Sequence, residues 1–326
     1  MPELFEAYDD IDDIGSRLQA ADPAERRVAV IELGNSGDPA AIRYLETLLA
    51  DPDPGVRQQV AAALGEFDGP AVAAALATLL VDPEQPVALA AGDSMAELKD
   101  PASADPILPL VTHADAFVRM SALRALKEVR RRDSLKPALD ALRDTDASVR
   151  VQAIGVIGFL KLEEAIPALT AASADSDRNV RRAAVSALAF SMTKSAADSI
   201  ARALTDTDWM VREVAAETIA SSKFGLQAAD ALIQALNDEF WQVRLKALRS
   251  LGKLKIARAI PAIAPSLAHP QANLRKEAAA ALGEIADPAA QPLLESVVND
   301  PDPEVRKNAR WAIQQCRGAA GLAGSR

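Results

Sequence analysis

The sequence predicts an all-α fold, a solenoid of about ten two-helix repeats of 31 residues. Three observations carry that expectation. A string of the form Asp-x-x-Val-Arg-x-x-Ala-x-x-x-Leu-Gly returns along the whole chain. Apolar residues within each copy recur at helical spacing, and no run alternates with period two as a half-buried strand would. The anchor position falls at Arg26, Arg57, Ala88, Arg119, Arg150, Arg181, Arg212, Arg244, Arg275 and Arg306. Its spacing is 31 residues throughout, except for 32 between Arg212 and Arg244.

The copies can be read in order. DPAERRVAVIELG (22–34), DPGVRQQVAAALG (53–65), EQPVALAAGDSMA (84–96), DAFVRMSALRALK (115–127) and DASVRVQAIGVIG (146–158) come first. DRNVRRAAVSALA (177–189), DWMVREVAAETIA (208–220), WQVRLKALRSLG (241–252), NLRKEAAAALG (273–283) and PDPEVRKNARWAI (301–313) follow. Each is the second helix of its repeat, helix B. It opens on an Asp that reads as an N-cap, and at Asp53 and Asp302 a proline follows at the first helical position. With the Val as position 0, apolar residues fall at about 0, 4, 5 and 8, as in Val149, Ala153, Ile154 and Ile157. The glycines at position 9 (Gly34, Gly65, Gly158, Gly252, Gly283) are expected to stop the helix. Helix A precedes it: 41–50, 165–172, 228–236 and 289–298 are examples, with prolines 137, 167, 261 and 292 mostly near the starts. One helix pair cannot bury its apolar face, whereas stacked pairs can. The array is therefore expected to occupy residues 1–317 as one domain, with 318–326 as a disordered Gly/Ala-rich tail.

These strings resemble HEAT repeats, in the short form named after phycobilisome-lyase proteins. The resemblance spans about residues 3–317, and nine of the ten anchors are arginine. It implies a right-handed superhelix whose B helices line a concave face.

Composition excludes several functions. The single cysteine, Cys316, cannot form an internal disulfide and points to a reducing, cytoplasmic location. The N-terminal stretch is acidic where a secretory signal is basic and then apolar, and no apolar run reaches the ~20 residues of a membrane span. Two histidines, His113 and His269, occupy equivalent places in repeats far apart and cannot share a metal. The pairs Asp51/Asp53, Asp144/Asp146, Asp175/Asp177, Asp206/Asp208 and Asp300/Asp302 lack the Gly and closing Glu of a calcium loop and read as turn and cap residues. The recurring Asp and Arg are read as scaffold, because a catalytic residue should occur once. No enzyme constellation, cofactor or metal site is expected.

In a repeat protein the shared positions build the scaffold and the variable exposed positions carry recognition. Positions 2, 3 and 6 of helix B are expected to face the groove. They supply Val28, Ile31, Leu89, Met120, Arg124 and Val151 in the first half, and Glu213, Lys246 and Arg249 in the second. Trp209 and Trp241, each three residues before an anchor, are candidate hot spots or wedges between repeats. Residues 1–115 hold 22 acids against 6 bases, and the remainder 24 against 30. From Phe240 through Lys276 there are eight bases and no acid. These features predict a non-catalytic interaction scaffold, or an assembly or regulatory factor, that takes a partner protein's helix or peptide in its groove. Two alternatives come from the resemblance alone. One is a bilin-chromophore lyase-type subunit acting in a heterodimer. The other is a DNA-binding protein like the HEAT-like alkylpurine glycosylases, which the net charge of −10 opposes.

Overall fold

The computed structural model describes residues 11–323, with side chains through residue 318. All regular secondary structure among these residues is helical. The ten B helices are α1 (Pro23–Asn35), α2 (Pro54–Leu64), α3 (Gln85–Met95), α4 (Ala116–Val129), α5 (Ala147–Leu160), α6 (Arg178–Ala187), α7 (Trp209–Thr218), α8 (Trp241–Lys253), α9 (Ala272–Ile285) and α10 (Pro303–Ala323). The A segments between them are shorter and often begin or end in 3-10 turns: Ala41–Glu46, Pro70–Leu80, Ile166–Ala172 and Ala229–Ala235 are examples.

The expected caps form. Asp22, Asp53, Asp115, Asp177 and Asp208 each accept a backbone N–H from the first turn of the B helix that follows. These bonds satisfy donors that a helix start leaves without partners. The position-9 glycines behave differently from expectation. Gly34, Gly158, Gly252 and Gly283 lie inside their helices, and Gly65 ends α2 with an ordinary right-handed φ of −66°. Where the chain turns left-handed at the end of a B helix, Arg130, Lys161, Lys255 and Ala286 supply the conformation. The glycines instead permit close helix approach. A Cβ on Gly252 would lie 2.8 Å from the Ala281 Cα, and one on Gly34 would lie 3.0 Å from the Ala63 Cβ. A local pattern suggests a stop here because the neighbour one repeat on, which excludes the Cβ, is invisible to it.

The contacts group into two compact units, Met1–Leu160 and Lys161–Arg326. In the first, α1 packs on α2, α2 on α3, α3 on α4, and α4 on α5. In the second, the same succession joins α6, α7, α8, α9 and α10. The B helices from α2 onward bury the Val or Leu at position 0, and all ten bury their apolar residues at 4, 5 and 8, as Val56, Val60, Ala61 and Leu64 show in α2; in α1 position 0 is the exposed Glu25. Fully burying one such Val or Leu contributes about 1.5–3 kcal/mol. The last helix continues through Ala323, past Gly318, where the sequence expectation begins a tail. Alanine and leucine propagate a helix that is already nucleated. Residues 324–326 lie outside the described part.

Candidate partner-binding groove

The anchor arginines are committed to the scaffold. Arg26, Arg57 and Arg119 in the first unit each direct Nε and Nη2 as a fork at the carboxylate of Asp51, Asp82 and Asp144. Arg181, Arg212 and Arg275 in the second do the same to Asp206, Asp238 and Asp300. Every contact is 2.6–3.0 Å. The remaining Nη1 donates to the carbonyl six residues back, and mostly also to the one five back, as Arg119 does to His113 and Ala114. At Asp51, Asp144, Asp206 and Asp300 the first Asp of the D-x-D pair is thus the acceptor for the preceding repeat's arginine, and the second is the helix cap. The Arg119 fork holds the Asp144 carboxyl below its ordinary pKa. At Asp206 and Asp238 burial pushes the carboxyl upward most strongly, but the guanidinium fork, the backbone N–H of Asp208 or Phe240 and the nearby positive charge together leave both lowered. Bidentate pairing is what lets these charges be taken from water at tolerable cost.

Two rungs depart from this pattern. In the first unit, Ala88 stands in the anchor place and His113 in the carboxylate place. In the second, Arg244 meets His269, with Nη2 3.3 Å from the imidazole Nε2. His269 Nδ1 accepts the Gln271 N–H, so Nε2 carries the proton of a neutral ring and cannot also accept from Arg244. Arg244 Nε is buried with no acceptor. Burial first, then Arg244 and Arg275, push the His269 pKa below its ordinary value.

The residues at positions 2, 3 and 6 range from exposed to buried. In the first unit Val28, Ile31 and Leu89 are exposed at 49%, 43% and 45%, large apolar side chains that the scaffold does not cover. Arg124 is exposed and pairs with Asp93 of the preceding repeat at 3.0 Å. Met120 and Val151 are half-buried between neighbouring repeats, and Ser121, at position 3, is buried. Gly92 and Asp93 leave α3 continuous: the helix runs unbroken from Gln85 to Met95.

In the second unit four of the expected residues come together. Glu213, Trp241, Lys246 and Arg249 line one open recess of about 360 Å³ on α7, α8 and α9. Gln242, Leu245, Asn273, Lys276 and Glu277 complete its wall. Lys246 reaches Glu217 at 2.7 Å and Arg249 reaches Glu277 at 2.9 Å, so these cations are balanced by the neighbouring repeats. The basic run in the sequence is accordingly not a continuous positive face. Gln242 Oε1 is buried and lacks a hydrogen-bond partner, an acceptor that the sequence pattern did not single out. Asn273 was missed because it lies in the first turn of α9, outside the 2-3-6 pattern, and only helix packing brings it to the recess.

The two tryptophans have different fates. Trp241 lines the recess. Trp209 stacks on Phe240, with ring centroids 5.1 Å apart and planes 13° apart, and the Arg212 guanidinium lies over the Phe240 ring. Trp209 is therefore a wedge between successive repeats in the turn ladder. Among the described residues no three His, Cys, Asp or Glu gather into a group that could hold a metal. No helix there is long and apolar enough to cross a membrane.

The family model for HEAT repeats matches residues 11–91, 135–220 and 229–314, more than half of the chain. The chain belongs to the HEAT-repeat family. No curated protein matches its sequence. Among solved structures, this HEAT-repeat chain is similar to an engineered protein, at 20% identity and a TM-score of 0.53, covering 94% of this chain and 98% of that one. It is also similar to Escherichia coli YibA, at 18% identity and a TM-score of 0.60, covering 81% and 97%. A third similar structure is Kap95p in a complex with RanGDP, at 16% identity and a TM-score of 0.59. There the match covers 94% of this chain and 48% of Kap95p, so the chain spans about half that protein's length. At such identities the likeness speaks for the helical-solenoid fold. The narrower phycobilisome-lyase resemblance finds no counterpart among these matches.

Proposed function

We propose that this HEAT-repeat protein is a non-catalytic interaction scaffold that seats a segment of a partner protein along the outward face of its B helices. The observation that carries the reading is the recess on α7–α9. It combines an aromatic side chain, Trp241, an apolar floor at Leu245, and charged groups of both signs on a rigid helical frame. Rigid aromatic anchors surrounded by polar groups are the usual carriers of protein–protein binding energy. The Asp and Arg ladders, which alone could suggest acid–base chemistry, are consumed in structural pairs. Kap95p, which shares the fold, is named in a complex with RanGDP, in keeping with a binding role.

The test places a photo-crosslinking amino acid at position 246 of the full chain and identifies the adduct formed in a lysate of the encoding organism. One dominant protein adduct is expected. Trp241→Ala should weaken binding of that purified protein by at least about tenfold while leaving the helical circular dichroism unchanged. No adduct, or unchanged affinity in the variant, would count against the groove.

A further inference from the structure

The rung that Ala88 leaves unbuilt opens a cavity of about 400 Å³ in the first unit. Asp82, Pro83, Ala88, His113, Asp115 and Phe117 line it, and the exposed side chains of Val81 and Leu89 form its rim. In the sister repeats a guanidinium fills the corresponding place. Its Nη1 meets the carbonyls six and five residues before the anchor. Here those are the carbonyls of Asp82 and Pro83, and among the described residues no side chain donates to them. The carboxylate that would take the fork is replaced by His113, whose Nδ1 accepts the Asp115 N–H at 3.1 Å. The chain itself shows that a guanidinium and an imidazole can share such a rung. Arg244 sits 3.3 Å from His269, with its Nη1 on the Asp238 carbonyl at 2.7 Å. The place at Ala88 therefore has every part of the Arg244–His269 rung except the guanidinium. Its surroundings favour a cation: residues 1–115 carry 22 acids against 6 bases, and Asp115 faces the cavity, whereas the Asp82 carboxylate that also lines it is already held by the Arg57 fork.

We propose that this cavity is a receptor for a guanidinium supplied from outside the chain, an arginine side chain of a partner protein. The side chain enters past Val81 and Leu89, which cover its methylene stem. It donates to the carbonyls of Asp82 and Pro83 and lies beside His113 and Phe117, rebuilding in trans the rung that the chain does not build in cis. The identification of a protein as the source rests on the scaffold reading above; the guanidinium site itself does not.

The full chain has two histidines, so its imidazole NMR signals are a direct readout, with His269 as the internal control. The probe is Nα-acetyl-arginine methylamide, titrated beside its neutral citrulline analogue and Nα-acetyl-tyrosinamide. A saturable shift of the His113 signals by the arginine compound alone is expected. Ala88→Arg should fill the place from within and abolish that shift. His113→Asp, which lacks the imidazole reporter, is titrated with the same compounds by isothermal titration calorimetry beside the native chain; it should restore the carboxylate and tighten binding about five- to tenfold. The two variants act in opposite directions, so a folding failure of one leaves the other decisive. No shift at His113, equal binding of citrulline, preference for the tyrosine compound, or a shift that survives Ala88→Arg would each overturn the proposal. Because the probe needs no partner protein, a negative result here leaves the groove on α7–α9 untouched, and failure to find a partner leaves this site untouched.

Discussion

Replacing His269 with Asp should stabilise the second unit. In the native chain Arg244 Nε is buried without an acceptor, and Nη2 faces a ring nitrogen that already carries a proton. A buried donor left unsatisfied costs about 1–3 kcal/mol. In the sister rungs an Asp in the same place receives the fork at 2.6–3.0 Å. The new carboxylate must be desolvated, but Asp238 and Asp300 sit in equally enclosed places, with side chains 8% and 6% exposed. The net gain should be about 1–2 kcal/mol. All three tryptophans lie in the second unit, so their fluorescence during urea unfolding reports on it. With a urea slope of about 1–3 kcal/mol per molar, the midpoint should rise by roughly 0.5–1 M at pH 7.5. The pH dependence sharpens the test. The native His269 pKa is lowered by burial, Arg244 and Arg275, so its unfolded form binds protons more readily than its folded form. Its contribution is complete above the ordinary value of 6.5 and is lost as pH falls from there to the lower folded pKa. The Asp variant lacks that loss, and its own gain fades only as pH falls through about 4 and below. The difference between the two proteins should therefore widen between pH 7.5 and 5. An unchanged or lowered midpoint, or a difference that ignores pH over that range, would refute the reasoning.

Three further outcomes follow from the same geometry. Asp206→Ala strips the Arg181 fork of its carboxylate while leaving the guanidinium largely enclosed, and should lower stability by about 2–4 kcal/mol in the same fluorescence assay. Gly252→Ala should cost about 1–3 kcal/mol, because its Cβ meets the α9 backbone at Ala281 rather than a movable side chain; a neutral result in thermal unfolding would remove the close-approach explanation of the position-9 glycines. The Cys316 thiol is buried, and burial first and then Asp287 raise its pKa. It should resist a thiol-reactive disulfide reagent in the native protein at pH 7.5 and react fully in urea, and rapid native labelling would show that the last repeat is open.

The repeat period, the two helices of each copy and the Asp caps were all legible in the sequence. Each depends on local periodicity or on contacts within a few residues, and most copies restate the same rule, the Asp cap failing only where Glu84, Phe240 and Gln271 stand in its place. Tertiary structure decided what depends on a neighbour about 30 residues away. It turned the position-9 glycines from stops into close-approach points, because the atom that excludes a Cβ belongs to the next repeat. It divided each Asp pair into a fork acceptor and a cap, and it gave Trp209 to a stack on Phe240 and Trp241 to an open recess. It also showed that His113 and His269, an unremarkable pair in the sequence, mark the two rungs that lack an Asp partner. A one-dimensional pattern records which residues recur; which recurring residue finds a partner is settled by the packing of one repeat against the next.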